Sequence, residues 1–168
     1  MFKSILPILF LLSSTITFYD PLRYPGHLPP NSYYDHEIHH IDGSLPLGFD
    51  DMSGLLWAVM CLNTPHGNVA GKLDKDQKGF YVWGGREHEC LEWEQIEGTL
   101  YTNKGQIPDH CQPLGDQHDS GEPHYNVVVQ SEHGMIPGKG LRSSDTAWYG
   151  YQGVEIFTQD NFYYVCED

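Results

Sequence analysis

The sequence predicts an all-β protein made from one module used twice. Three observations carry this reading. The stretch Pro46–Lys72 (PLGFDDMSGLLWAVMCLNTPHGNVAGK) returns without a gap as Pro113–Lys139 (PLGDQHDSGEPHYNVVVQSEHGMIPGK), at an offset of 67 and with nine of 27 positions identical. The identities are mostly turn residues, including Ser53-Gly54/Ser120-Gly121, His66-Gly67/His133-Gly134 and Gly71-Lys72/Gly138-Lys139, so the copies share their chain reversals. The composition, with 18 Gly, 11 Pro and 13% aromatics, suits short strands and frequent bends, and no stretch repeats convincingly at the 3.6-residue helical period.

In chain order, residues 1–17 read as an export signal. Lys3 supplies the positive start, Ile5–Leu12 the apolar run, and Ser13, Ser14, Thr15 and Thr17 a small-residue cleavage zone. The apolar run is too short to span a bilayer. Residues 18–45 are expected to be an extended arm or a loop, since the four prolines between Phe18 and Asp42 forbid a helix. Repeat one covers 46–98, a connecting loop 99–112, and repeat two 113–168. Leu55–Leu62 is an apolar run between Ser53-Gly54 and Asn63-Thr64-Pro65, and its β-branched counterpart Pro123–Gln130 makes both copies strands. Phe80–Trp83 and Thr146–Tyr151 are aromatic strands, each leading into a glycine turn. Their continuations FYVWGGRE (Phe80–Glu87) and WYGYQGVE (Trp148–Glu155) correspond with a one-residue slip. Phe162–Cys166 is the closing strand, Tyr101–Cys111 is read as loop, and the glycine-lysine turns are expected to be exposed.

With 9 Lys+Arg against 23 Asp+Glu, the formal charge of −14 repels phosphate-rich polymers and anionic lipid surfaces, which argues against nucleic acid as a partner. All four cysteines follow the export signal, so an oxidising compartment and disulfides are expected. Three full pairings are open. Cys111 at the entry of repeat two and Cys166 on its closing strand suggest Cys111–Cys166 and Cys61–Cys90, each stapling one copy.

The order of motifs resembles the DM-nine repeat family, the module of natterin-like proteins and of invertebrate mannose-binding lectins. Copy one gives Gly48-Phe49-Asp50-Asp51, Gly71-Lys72, Gly85-Arg86-Glu87-His88 and Trp93-Glu94-Gln95-Ile96. Copy two gives Gly115 with His118-Asp119, Pro137-Gly138-Lys139, Gly153-Val154-Glu155 and Tyr163-Tyr164-Val165. The sequence departs from the family where Ala70 replaces the proline, where Cys61 and Val128 stand at the place of a strand arginine, and where Val154 replaces a basic residue. The resemblance implies two pseudo-symmetric repeats packed into one compact β-sandwich-like body, with a carbohydrate site in each. In the lectins an aspartate and a lysine 21 residues apart hold the sugar. Asp51 and Lys72 keep that spacing, while in copy two the same step back from Lys139 reaches His118, with Asp119 beside it. A carboxylate that accepts from two neighbouring hydroxyls, with an ammonium that donates to them, is sensible sugar chemistry.

Other candidates have plainer readings. His36, His39 and His40 could supply a metal site if helical, but no helix start precedes them and the flanks are proline-rich, so a solvated arm is the reading here. His66 and His133 are read as turn-stabilising, and Glu87 and Glu155 as fold residues after glycine turns. The aromatic strands are read as core, with a ring at the rim free to stack on a sugar. No Gly-x-Ser-x-Gly elbow occurs, and neither an enzyme nor a cofactor is expected. The expectation is therefore a secreted, lectin-like protein whose partners are mannose-type glycans or glycoproteins, with roles in microbial recognition or defence, no membrane insertion, and a homodimer as an open assembly. The alternative is an extracellular structural or regulatory protein that keeps the fold without sugar binding.

Overall fold

The computed structural model describes residues 47–116 and 121–167. The stretch read as an export signal, the segment read as an arm with its histidines, and His118 with Asp119 lie outside them. Twelve strands and no helix occur among the described residues: β1 Gly48–Asp50, β2 Gly54–Thr64, β3 Gly67–Leu73, β4 Gly79–Trp83, β5 Arg86–Cys90, β6 Trp93–Gln95, β7 Thr99–Thr102, β8 Tyr125–Ser131, β9 Gly134–Leu141, β10 Thr146–Tyr151, β11 Val154–Thr158 and β12 Phe162–Cys166. The all-β expectation holds, and every strand anticipated from the sequence is present.

The packing differs from a sandwich. Strands β1-β2-β3-β4-β5-β11-β10-β9 form a continuous run, and β9 pairs back to β1, so eight strands close a ring; β8, β12, β7 and β6 attach to it. At one seam, Phe49 pairs with Met135. At the other, the strands that follow the two glycine turns meet at Val154 and Arg86. Glu87 N there donates to Gly153 O at 3.0 Å and Glu155 N to Gly85 O at 3.2 Å, the same bond made in both directions by repeat-equivalent residues. Closure through the two copies removes sheet edges that separate copies would each expose.

Local chemistry explains the turns. Gly84-Gly85 and Gln152-Gly153 all have positive φ (60°, 85°, 51° and 79°), the geometry of two-residue type I′ hairpins. At the β2–β3 turn, Thr64 Oγ1 donates to Gly67 O at 2.7 Å and accepts from His66 N at 3.1 Å. At β8–β9, Ser131 Oγ makes the same two bonds, to Gly134 O and from His133 N, each at 3.1 Å. The hydroxyl thus fastens the turn, and each histidine ring projects from it.

Three buried clusters form the core. Val59, Cys61, Val69 and Tyr81 pack within copy one, and Val127, Val129, Phe162 and Tyr164 chiefly within copy two. The third joins them through Phe49, Met60, Val128 and Met135. On β8, Val127 and Val129 face one cluster and Val128 another, as strand alternation requires. Disulfides Cys61–Cys90 and Cys111–Cys166 fasten the two copies separately, the pairing suggested by position. Two expectations are corrected. The segment read as loop contains β7, whose threonine, leucine and tyrosine alternate as a strand and pair with β12. The glycine-lysine pairs are not exposed turns but lie inside β3 and β9. The glycine is needed there because a Cβ at Gly71 would run into the Phe80 carbonyl, and one at Gly138 into that of Trp148.

Candidate functional site

Mid-strand placement turns both lysines inward, leaving Lys72 5% and Lys139 1% exposed. From β3 the Lys72 ammonium reaches across to copy two and donates to Gly150 O at 2.7 Å. From β9 the Lys139 ammonium reaches across to copy one and donates to Val82 O at 2.7 Å. Val82 and Gly150 are repeat equivalents, so this is one contact exchanged. Each lysine also meets the glutamate of its own copy, Lys72 with Glu87 Oε2 at 2.9 Å and Lys139 with Glu155 Oε2 at 3.4 Å. The fold reading of the two glutamates therefore agrees with their place. A buried ammonium needs such partners, since desolvating it alone would cost several kcal/mol.

The two places differ around this plan. Asp50 Oδ2 lies 3.8 Å from Lys72. Its other oxygen accepts from Met52 N at 2.9 Å and, in a shorter contact, from Ser53 N, so the carboxylate also fastens the β1–β2 turn. Lys139 lies over aromatic rings, 4.2 Å from the centre of Trp83 and 5.9 Å from that of Trp148.

The carboxylate expected to face Lys72 is turned elsewhere. Successive residues at the end of a strand point to opposite sides, so Asp50 is buried and Asp51 points out. The Asp51 side chain, 41% exposed, meets copy two: Tyr151 Oη donates to Oδ1 at 2.6 Å, and His133 Nδ1 stands 3.7 Å from Oδ2. The backbone supports the placement, Asp51 N donating to His133 O at 3.1 Å. The hydrogen bond to Asp51 pushes the Tyr151 hydroxyl up to about 12, with desolvation adding to it, because losing the proton would place two anions together. The His133 ring stacks on Tyr151 with centres 3.8 Å apart and planes 4° from parallel.

The repeat-equivalent rings form the matching stack: His66 lies 4.4 Å from Trp83 at 13°. His88 stacks on Tyr81 next to them and donates through Nε2 to Trp83 O at 3.0 Å. Each place therefore offers an imidazole on an aromatic ring above a buried lysine-glutamate pair. In the sequence, Tyr151 and Trp83 read as core-strand residues and the two histidines as turn supports. The available signal was that all four occupy equivalent positions in the copies.

Among the described residues no group of three His, Cys, Asp or Glu side chains could hold a metal ion. The chain matches no family model, and no curated protein matches it.

Proposed function

We propose that the protein is a secreted, lectin-like carbohydrate-binding protein that recognises mannose-type glycans, and that its copies are DM-nine-like repeats. The observation that carries the reading is the rim formed by Asp51 of copy one with Tyr151 and His133 of copy two. Asp51 Oδ1 is occupied by the phenol at 2.6 Å, while Oδ2 lies outside hydrogen-bond reach of His133 at 3.7 Å and is open to a sugar hydroxyl. The phenol oxygen accepts a further bond, and the imidazole can donate one, so neighbouring hydroxyls meet complementary groups on a fixed frame. The lysines position this frame and do not touch the ligand, because their ammoniums are enclosed and engaged. The second rim would use Trp83 and His66. Secretion fits the export signal and the two disulfides.

The test is calorimetric titration of the mature protein with mannose and a mannose-rich glycan. Asp51→Asn should weaken binding about tenfold or more, the loss of one charge-assisted partner. Equal binding by wild type and Asp51→Asn would remove the assigned rim. One observation favours the structural alternative: both stacked histidines already cover a ring face that a sugar would otherwise use. Wild type inert on a broad glycan array would decide for that alternative.

A further inference from the structure

An open cleft of about 250 Å³ lies on copy one between the end of β2 with its turn and the stretch from β5 to Glu92. Its chemistry is two-sided. Leu62 and Leu91 give it apolar surface, and Leu91 is 92% exposed, the most solvent-facing large apolar side chain among the described residues. Glu89 and Glu92 give it two carboxylates, and no lysine or arginine lines it. The walls are fastened: Asn63 Nδ2 donates to Glu92 Oε2 at 2.7 Å, Leu62 N to Glu92 O at 2.9 Å, and the Cys61–Cys90 disulfide joins the two sides. Along one edge β5 pairs with β4 over its full length, but along the other it pairs with a strand only at Arg86, so among the described residues the backbone at Glu89 has no strand beside it.

We propose that this cleft docks an extended, basic segment of a partner protein, which adds to the free edge of β5 at Glu89. A lysine or arginine of that segment lays its aliphatic stem on Leu91 and Leu62 and its cation between Glu89 and Glu92. Charge complementarity selects this occupant: the lining is acidic in a chain of net charge −14, so an acidic segment would be repelled. The free backbone edge selects a peptide over a small amine, since only a peptide answers both donor and acceptor along a strand. In copy two the places of Glu89 and Glu92 hold Phe157 and Asp160, so the docking belongs to copy one and is separate from the sugar rims.

Fluorescence anisotropy of the mature protein with two labelled peptides of equal length, alternating Val or Thr with Lys in one and with Glu in the other, tests this. The basic peptide should bind, more weakly as salt rises, and the acidic one should not. Glu89→Gln/Glu92→Gln should weaken the basic peptide about fivefold or more, as two partly exposed ion pairs predict, and Leu91→Ser should weaken it in the fold-neutral background of an exposed site. Glu97→Gln/Asp109→Asn removes two carboxylates that do not line the cleft and should leave binding nearly unchanged. Absence of binding, or an equal loss from the two double variants, would overturn the proposal, the second by showing diffuse attraction. Arginine amide binding as tightly as the peptide would also overturn it, in favour of a small-cation site.

Discussion

The two lysine-centred places follow one backbone plan and put different side chains on it. At each, a mid-strand lysine donates to a carbonyl of the other copy and pairs with the glutamate after a type I′ turn. Around Lys72 the further partner is the Asp50 carboxylate, with the Asp51–Tyr151 hydrogen bond at the rim. Lys139 lies over the indole rings of Trp83 and Trp148. Glycines, turn hydroxyls and the lysine-glutamate pair thus set the frame in both copies, and a few rim positions, chiefly 51, 83 and 151, set its chemistry. The first place is polar and can change with pH; the second is aromatic.

The largest effects should come from the lysines. Lys72→Met and Lys139→Met each leave a buried carboxylate uncompensated and should cost ~3–5 kcal/mol in denaturant unfolding. The two differ in rescue. Lys139→Met/Glu155→Leu removes the carboxylate paired with Lys139 among the described residues and should recover most of the loss, whereas Lys72→Met/Glu87→Leu leaves Asp50 facing an apolar side chain and should recover less. Equal recovery would show that Asp50 is satisfied by its turn alone.

Smaller changes examine what the copies share. Thr64→Ala and Ser131→Ala each delete a hydroxyl that makes two bonds across a turn and should each cost ~1 kcal/mol. A loss at one turn only, read from the same unfolding curves, would break the equivalence.

Alkaline pH should separate the two places. The folded-state pKa of Tyr151 is raised from 10 to about 12, so the stabilisation from its bond to Asp51 is complete below pH 10 and is lost as pH rises from 10 to about 12. Trp83 has no such proton. In NMR spectra the His133 ring signals should move through this window while those of His66 stay, and Asp51→Asn should bring the Tyr151 titration back towards 10. Movement of both histidines together would point to general unfolding.

Much of the frame was legible in the sequence because turns are local. Gly84-Gly85, Gln152-Gly153 and the β-branched run of β8 announce their conformations within a few residues, and position within each copy suggested, among three open pairings, the one the structure has. Lys72 and Lys139 were recognised as equivalent, yet their burial was not legible. What encloses each ammonium is a carbonyl of the other copy, 78 residues away for Lys72 and 57 for Lys139, and no local pattern records which strand lies across the pleat. The same applies to Asp51: its spacing to Lys72 was visible, but its partners Tyr151 and His133 come from copy two. The adjacent aspartates could be told apart only by the alternation at the end of β1.

A double-mutant cycle on mannose affinity, with Asp51→Asn and Tyr151→Phe singly and together, tests most directly that one rim is built by both copies. If the carboxylate of one copy and the phenol of the other hold the same sugar, the two losses overlap, and the double variant should bind little worse than the weaker single variant. Losses that simply add, or binding that Tyr151→Phe leaves unchanged, would contradict a rim shared between the copies.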